Sequence, residues 1–201
     1  MRNHFLNENY FAVEIFFVPL QASNNTGGMG MKTYEELEEI LSGRMNADDI
    51  LSLCSAVATS GSVVAFMPFL HSADPIVARN AAWAMTHFTD DELSLLVSRR
   101  DEMTDLVLST GNTGLRRMLL AILYRMPCTA EDVRTDFLDF CLSCMVSLDQ
   151  PPGVQSLCMK TARRLCSFYP ELSEEFMRTV KGMEPCYYTP ALKSVRNKIL
   201  R

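Results

Sequence analysis

An all-α chain of stacked helix pairs, about five in number, is the architecture expected of this sequence, and three observations carry that expectation. From Lys32 onward, apolar-periodic segments alternate with short polar breaks, and none shows the period-2 alternation of a strand. Residues with capping chemistry stand where those segments begin and end. One apolar stripe also recurs at intervals of 37 to 39 residues, within the range that marks a solenoid.

Taken in order, Thr33 precedes "YEELEEIL", Asn46 precedes "ADDILSLCSAVA", and Asp74 stands before Pro75. Asp90, then Asn112 or Thr113, then Thr129 mark the next starts. Each offers a side-chain oxygen to the free N–H groups of a first turn, and proline suits the first helical position because it has no N–H to satisfy. Gly43, Gly61 and Gly111 read as stops, with breaks at Pro127 and Pro170.

Val77, Leu115, Val154 and Ala191 anchor the recurring stripe. Four, eight and eleven residues beyond the first three anchors stand Ala81, Met85 and Phe88, then Leu119, Leu123 and Met126, then Cys158, Ala162 and Leu165. The last helix supplies Val195 and Ile199. Each stripe is too narrow to be a core alone, so the units are expected to be stable only when stacked.

The segment "FMPFLHSADPIVARNAAWAM" resembles the HEAT repeat unit: an apolar first helix, a turn with Asp-Pro, then a second helix opening Val-x-Arg and continuing through small residues. Val77 and Arg79 are separated by Ala78, whereas the family usually sets them adjacent. The resemblance covers roughly residues 33 to 201, strongly in this unit and by period and pattern elsewhere. It implies a right-handed α-α superhelix whose second helices line a concave face, and a scaffold, adaptor or regulator.

Bulk properties are consistent with this. With 201 residues, 48% hydrophobic and 21% charged, the chain suits one core-forming domain, expected over residues 32–201. No run reaches the 18 or more apolar residues of a membrane span, so no membrane contact is expected. Seven scattered cysteines point to a reduced, cytoplasmic setting. Residues 1–31 are expected to lie outside the core: "FAVEIFFVPLQA" is broken by Glu14, only Arg2 provides a basic lead, and "ASNNTGGMG" has linker composition.

A second stripe lies two, six and ten residues past each anchor, on another side of the helix. It holds Arg79, Trp83 and His87; Arg117, Ala121 and Arg125; Ser156, Lys160 and Arg164; and Lys193, Asn197 and Arg201. With Arg163 and Arg196, the four second helices carry eleven of the nineteen lysines and arginines and, apart from the cap Asp74, no acidic residue. Acidic residues crowd the other helices, as in "YEELEE", "DDELS" and "ELSEEF". A basic groove is therefore expected despite a net charge of -5, formed by Arg79, Trp83, His87, Arg117, Arg125, Lys160, Arg163, Arg164, Lys193, Arg196 and Arg201.

A plainer account stands beside it. Arginines near helix C-termini complement the helix dipole, and the resemblance implies that Arg79 and Arg117 pair with turn residues such as Asp74 and Asn112. Trp83 packs between repeats on that account, as large aromatics usually do.

Features that look chemical read as structural. Cys141 and Cys144 have metal-like spacing, but there is no second CxxC or HxxxH. They share a helical face with Val133, Phe137 and Leu148, and Cys54, Cys158 and Cys166 read as core in the same way. His4, His71 and His87 show no triad spacing, and "TGNTG" lacks the lysine of a phosphate cradle. Met67, Met85, Met118, Met126, Met145 and Met159 read as core filler.

The expected function is a non-enzymatic scaffold, without metal or cofactor, that grips an acidic peptide or protein surface, with nucleic acid as the second candidate partner. "LRRMLLAIL" is also similar to the arginine-pair helix of HEAT-like DNA alkylation repair glycosylases, which implies a phosphate contact at Arg116 or Arg117. Where those enzymes place Asp four residues after Trp, this chain has His87 after Trp83.

Overall fold

The computed structural model describes residues 34–60 and 63–201, with side chains left out over 56–60. The expectations for residues 1–31, and those at Thr33, Gly61 and His4, lie outside the described residues. Ten α helices follow in order within them: α1 (Tyr34–Ser42), α2 (Ala47–Ser60), α3 (Pro75–Thr86), α4 (Asp90–Ser94), α5 (Arg100–Ser109), α6 (Thr113–Arg125), α7 (Thr135–Val146), α8 (Pro152–Cys166), α9 (Pro170–Gly182) and α10 (Pro190–Ile199). No strand occurs among the described residues.

The helices form successive pairs whose second members, α3, α6, α8 and α10, pack directly against one another in one layer. Helix α5 packs on α6 and α7 on α8, while α9 lies against α8 and is tied to α10 by Arg196. Helices α1 and α2 both pack on α3. The apolar stripe is what this layer buries. Val77, Ala81, Met85 and Phe88, then Leu115, Leu119, Leu123 and Met126, then Val154, Cys158, Ala162 and Leu165 are all core residues. Chain burial on this scale is the main stabilising term of a stacked-repeat fold, because each pair alone leaves its apolar side in water.

Several starts behave as expected. The Asn46 side chain accepts from Asp48 N at 2.8 Å and Asp49 N at 3.1 Å, and the Asp49 carboxylate accepts from Asn46 N in return. Asp74 accepts from Ile76 N at 2.8 Å, ahead of Pro75. Asn112 accepts from Gly114 N and Leu115 N.

Other expectations need correction. The cap of α4 is Thr89, not Asp90, because Thr89 and Glu92 satisfy each other's backbone N–H reciprocally. Thr129 caps a 3-10 turn, Ala130–Asp132, and α7 begins later, at Thr135. The first helix before α3 is replaced by two 3-10 turns, Val63–Phe66 and Pro68–His71, where Pro68 has no N–H to continue a ladder. In α10 the buried residue is Leu192 and the expected anchor Ala191 is exposed, while Val195 and Ile199 pack against the core as expected. Leu148 is 61% exposed because α7 ends two residues earlier, at Val146.

Candidate functional site

Eight of the eleven residues expected to line a groove divide into two groups once their partners are known. Arg125 belongs to the first. It donates to Thr86 O at 2.8 Å and Phe88 O at 2.5 Å, at the end of α3, and pairs with Asp90 at 2.8 Å. Arg164 does the same one repeat later, donating to Tyr124 O near the end of α6. Arg196 donates to Val180 O and Lys181 O at the end of α9, and Arg163 to Ser173 Oγ in α9 at 3.1 Å.

These cations are ties between elements. The last carbonyls of a helix have no partner within it and carry the negative end of its dipole, so a guanidinium from a neighbour both satisfies and neutralises them. Their donors are engaged inside the molecule, and Arg125 also meets a carboxylate.

The second group is Arg79, Arg117, Lys160 and Lys193, one on each second helix, which have no hydrogen bond or ion pair among the described residues. Arg79 and Arg117 are exposed, whereas Lys160 and Lys193 are half-buried along their stems. The pairing of Arg79 with Asp74, or of Arg117 with Asn112, implied by the resemblance does not occur, since both caps accept from their own helix. Instead the Arg79 stem lies over Gly114, 3.7 Å from where a Cβ would stand, and the Arg117 stem lies over Gly153 at 2.9 Å. Each arginine thus runs across the first turn of the next second helix, at a glycine that leaves room for it. The two glycines occupy the same register, one residue before Leu115 and Val154, a signal present in the repeat alignment but overlooked.

Trp83 is half-buried against the core, its ring centroid 6.5 Å from that of exposed His87. Arg201 falls beyond the end of α10 and is exposed. Arg116, the other member of the arginine pair, is fully engaged. It donates to Val107 O at 3.0 Å and to Thr110 O, and lies over the Phe140 ring at 5.6 Å.

Four of the cysteines are core residues. Cys141, Cys144, Cys158 and Cys166 are buried. Contact with Cys158 and burial raise the Cys144 thiol, and contact with Cys141 raises Cys158. Burial pushes Cys54 up to about 11. Thiols held protonated are poor nucleophiles and poor metal ligands. No group of three or more His, Cys, Asp or Glu among the described residues is placed to hold a metal.

A cavity of about 20 Å³, lined by Arg100, Thr104, Thr161 and Arg164 among others, is the size of a single water molecule. It is far below the several hundred Å³ of a small-molecule site. No helix among the described residues is long and apolar enough to cross a membrane.

The model of the HEAT repeat domain matches residues 37–201, most of the chain and all of the second-helix layer. The chain belongs to the HEAT repeat family. No curated protein and no solved structure matches it. A HEAT repeat domain serves in general as a protein-binding scaffold.

Proposed function

We propose that this HEAT domain is a non-enzymatic scaffold that holds an acidic protein segment across the face formed by α3, α6, α8 and α10. One observation carries the proposal. Each of those helices presents a cation with no hydrogen-bond or ion-pair partner among the described residues, Arg79, Arg117, Lys160 and Lys193, in helices that hold no Asp or Glu past the Asp74 cap. A cation left unpaired keeps its full field for a ligand, whereas Arg125, Arg164 and Arg196 are already satisfied. Trp83, half-buried beside Arg79, adds an apolar surface for a side chain flanking the acidic run.

Acidic protein is favoured over nucleic acid because the chain carries a net charge of -5 and only one member of the Arg116–Arg117 pair is free. The test is fluorescence anisotropy with a labelled oligo-glutamate peptide and with duplex DNA. Arg79→Glu, Arg117→Glu, Lys160→Glu and Lys193→Glu combined should weaken peptide binding on the order of a hundredfold without loss of helicity, since each exposed pair is worth only a fraction of a kcal/mol to about one. Unchanged peptide affinity in that variant, or tighter binding of DNA than of peptide, would sink the proposal.

A further inference from the structure

The proposed face also constrains the conformation and spacing of what it holds, and the following rests on that proposal. Among the described residues each second helix carries a free cation in its N-terminal half or near its middle: Arg79 on α3, Arg117 on α6, Lys160 on α8 and Lys193 on α10, where Lys198 stands free as well near the C-terminal end. Those helices are direct neighbours in one layer. Packed helices lie 8–10 Å apart, so successive cations repeat at about that interval across the layer. Arg79 and Arg117 sit at the same register, two residues past the buried Val77 and Leu115, and Lys193 stands one residue past the buried Leu192. Lys160 sits one turn further along its helix, on a long flexible stem.

The Arg79 and Arg117 stems are set in a common direction, each over the first turn of the following second helix at Gly114 and Gly153. Their repeat is therefore built into the backbone packing.

A ligand with one carboxylate per cation needs acidic groups about 9 Å apart, all on one side. A β-strand cannot supply that at three-residue spacing, because successive side chains alternate faces and residues i and i+3 point oppositely. An α-helix rises only about 1.5 Å per residue, so its same-face pairs stand about 5–6 Å apart at i, i+4 or about 10.5 Å apart at i, i+7, on either side of the required interval. A polyproline II helix has three residues per turn and rises about 3.1 Å per residue, which places residues i, i+3, i+6 and i+9 on one side at about 9 Å.

We infer that the partner is an acidic segment in the polyproline II conformation with Asp or Glu at every third position, one per repeat. Such a segment has no internal hydrogen bonds to break and little chain entropy left to lose, which suits a shallow charged face that offers few apolar contacts.

Two fluorescein-labelled peptides of identical composition test this by anisotropy against the full chain at low salt: four Glu-Pro-Pro units, and four contiguous Glu followed by eight Pro. The spaced peptide should bind about tenfold more tightly, because only it can engage all four cations at once. Arg117→Gln, at an exposed residue with no hydrogen bond among the described residues, should remove most of that advantage while leaving the contiguous peptide nearly unaffected. Equal affinities, a preference for the contiguous peptide, or an advantage that survives Arg117→Gln overturns the spacing rule and leaves the acidic-segment proposal standing. Failure of both peptides to bind overturns the two together.

Discussion

Gly153 illustrates how one missing side chain sets the direction of a charged one. A Cβ there would stand 2.9 Å from Arg117 Cδ, closer than such atoms approach, so the arginine stem must give way. The position lies inside the first turn of α8, where alanine is otherwise favoured over glycine by about 0.5–1 kcal/mol. Gly153→Ala is therefore expected to hold or raise the thermal midpoint while weakening binding of the spaced acidic peptide, two quantities that ordinary destabilisation would move together. A melt and an anisotropy titration on the same sample separate them, and unchanged affinity would show that the seat of Arg117 is irrelevant to recognition. Charge alone does not define this site; the stem's bed does.

Among the helices, one device recurs. Helices α1, α3, α5 and α7 carry no basic residue in their last turn, and each has its terminal carbonyls satisfied from elsewhere. Asn80 donates to Leu41 O at 2.8 Å and Gly43 O at 3.1 Å for α1, and Arg125 serves α3. Arg116 serves α5, and Gln155 donates to Ser147 O at 2.5 Å for α7. Bonds of this kind hold a helix end in register with its neighbour as well as satisfying it.

Asn80 is the sharpest case, because it is only 2% exposed and its amide has no access to water as an alternative. Asn80→Ala should cost about 1–3 kcal/mol in denaturant unfolding, with the earliest loss of structure in α1. A loss near zero would show that the α1 end is satisfied without it.

For the molecule as a whole, stacking without long-range closure makes stability a matter of neighbours. Helix α8 contacts α6, α7, α9 and α10 and buries Val154, Cys158, Met159, Ala162, Leu165 and Cys166 among others, whereas α10 has one buried residue, Leu192. Hydrogen exchange should therefore show the strongest protection in α6 and α8, with α10 opening first by a margin of about a factor of ten or more in rate. Uniform protection through α10 would mean that the repeats unfold as one unit. The free cations follow the same line from the well-packed centre to the looser end, so Lys193 is expected to adapt to a ligand more readily than Arg117.

How much of this was legible in the linear chain depends on the distance over which the deciding interaction acts. Helical periodicity, the caps at Asn46, Asp74 and Asn112, and the stripe from Val77 to Leu165 are local or strictly periodic, so residue order alone reveals them. Register at Ala191 differs from the expectation because alanine and leucine are both apolar and neighbouring in sequence, so the pattern alone does not choose between them. The division of the basic stripe into spent and unspent charge was out of reach. The acceptors of Arg125 and Arg164 lie 35 to 40 residues away in the neighbouring repeat, and whether a guanidinium meets a carbonyl there depends on how two helices settle together. Spacing along a chain can show that a cation is present on a face, but an electrostatic field depends on what else stands within a few ångströms, and only packing sets that.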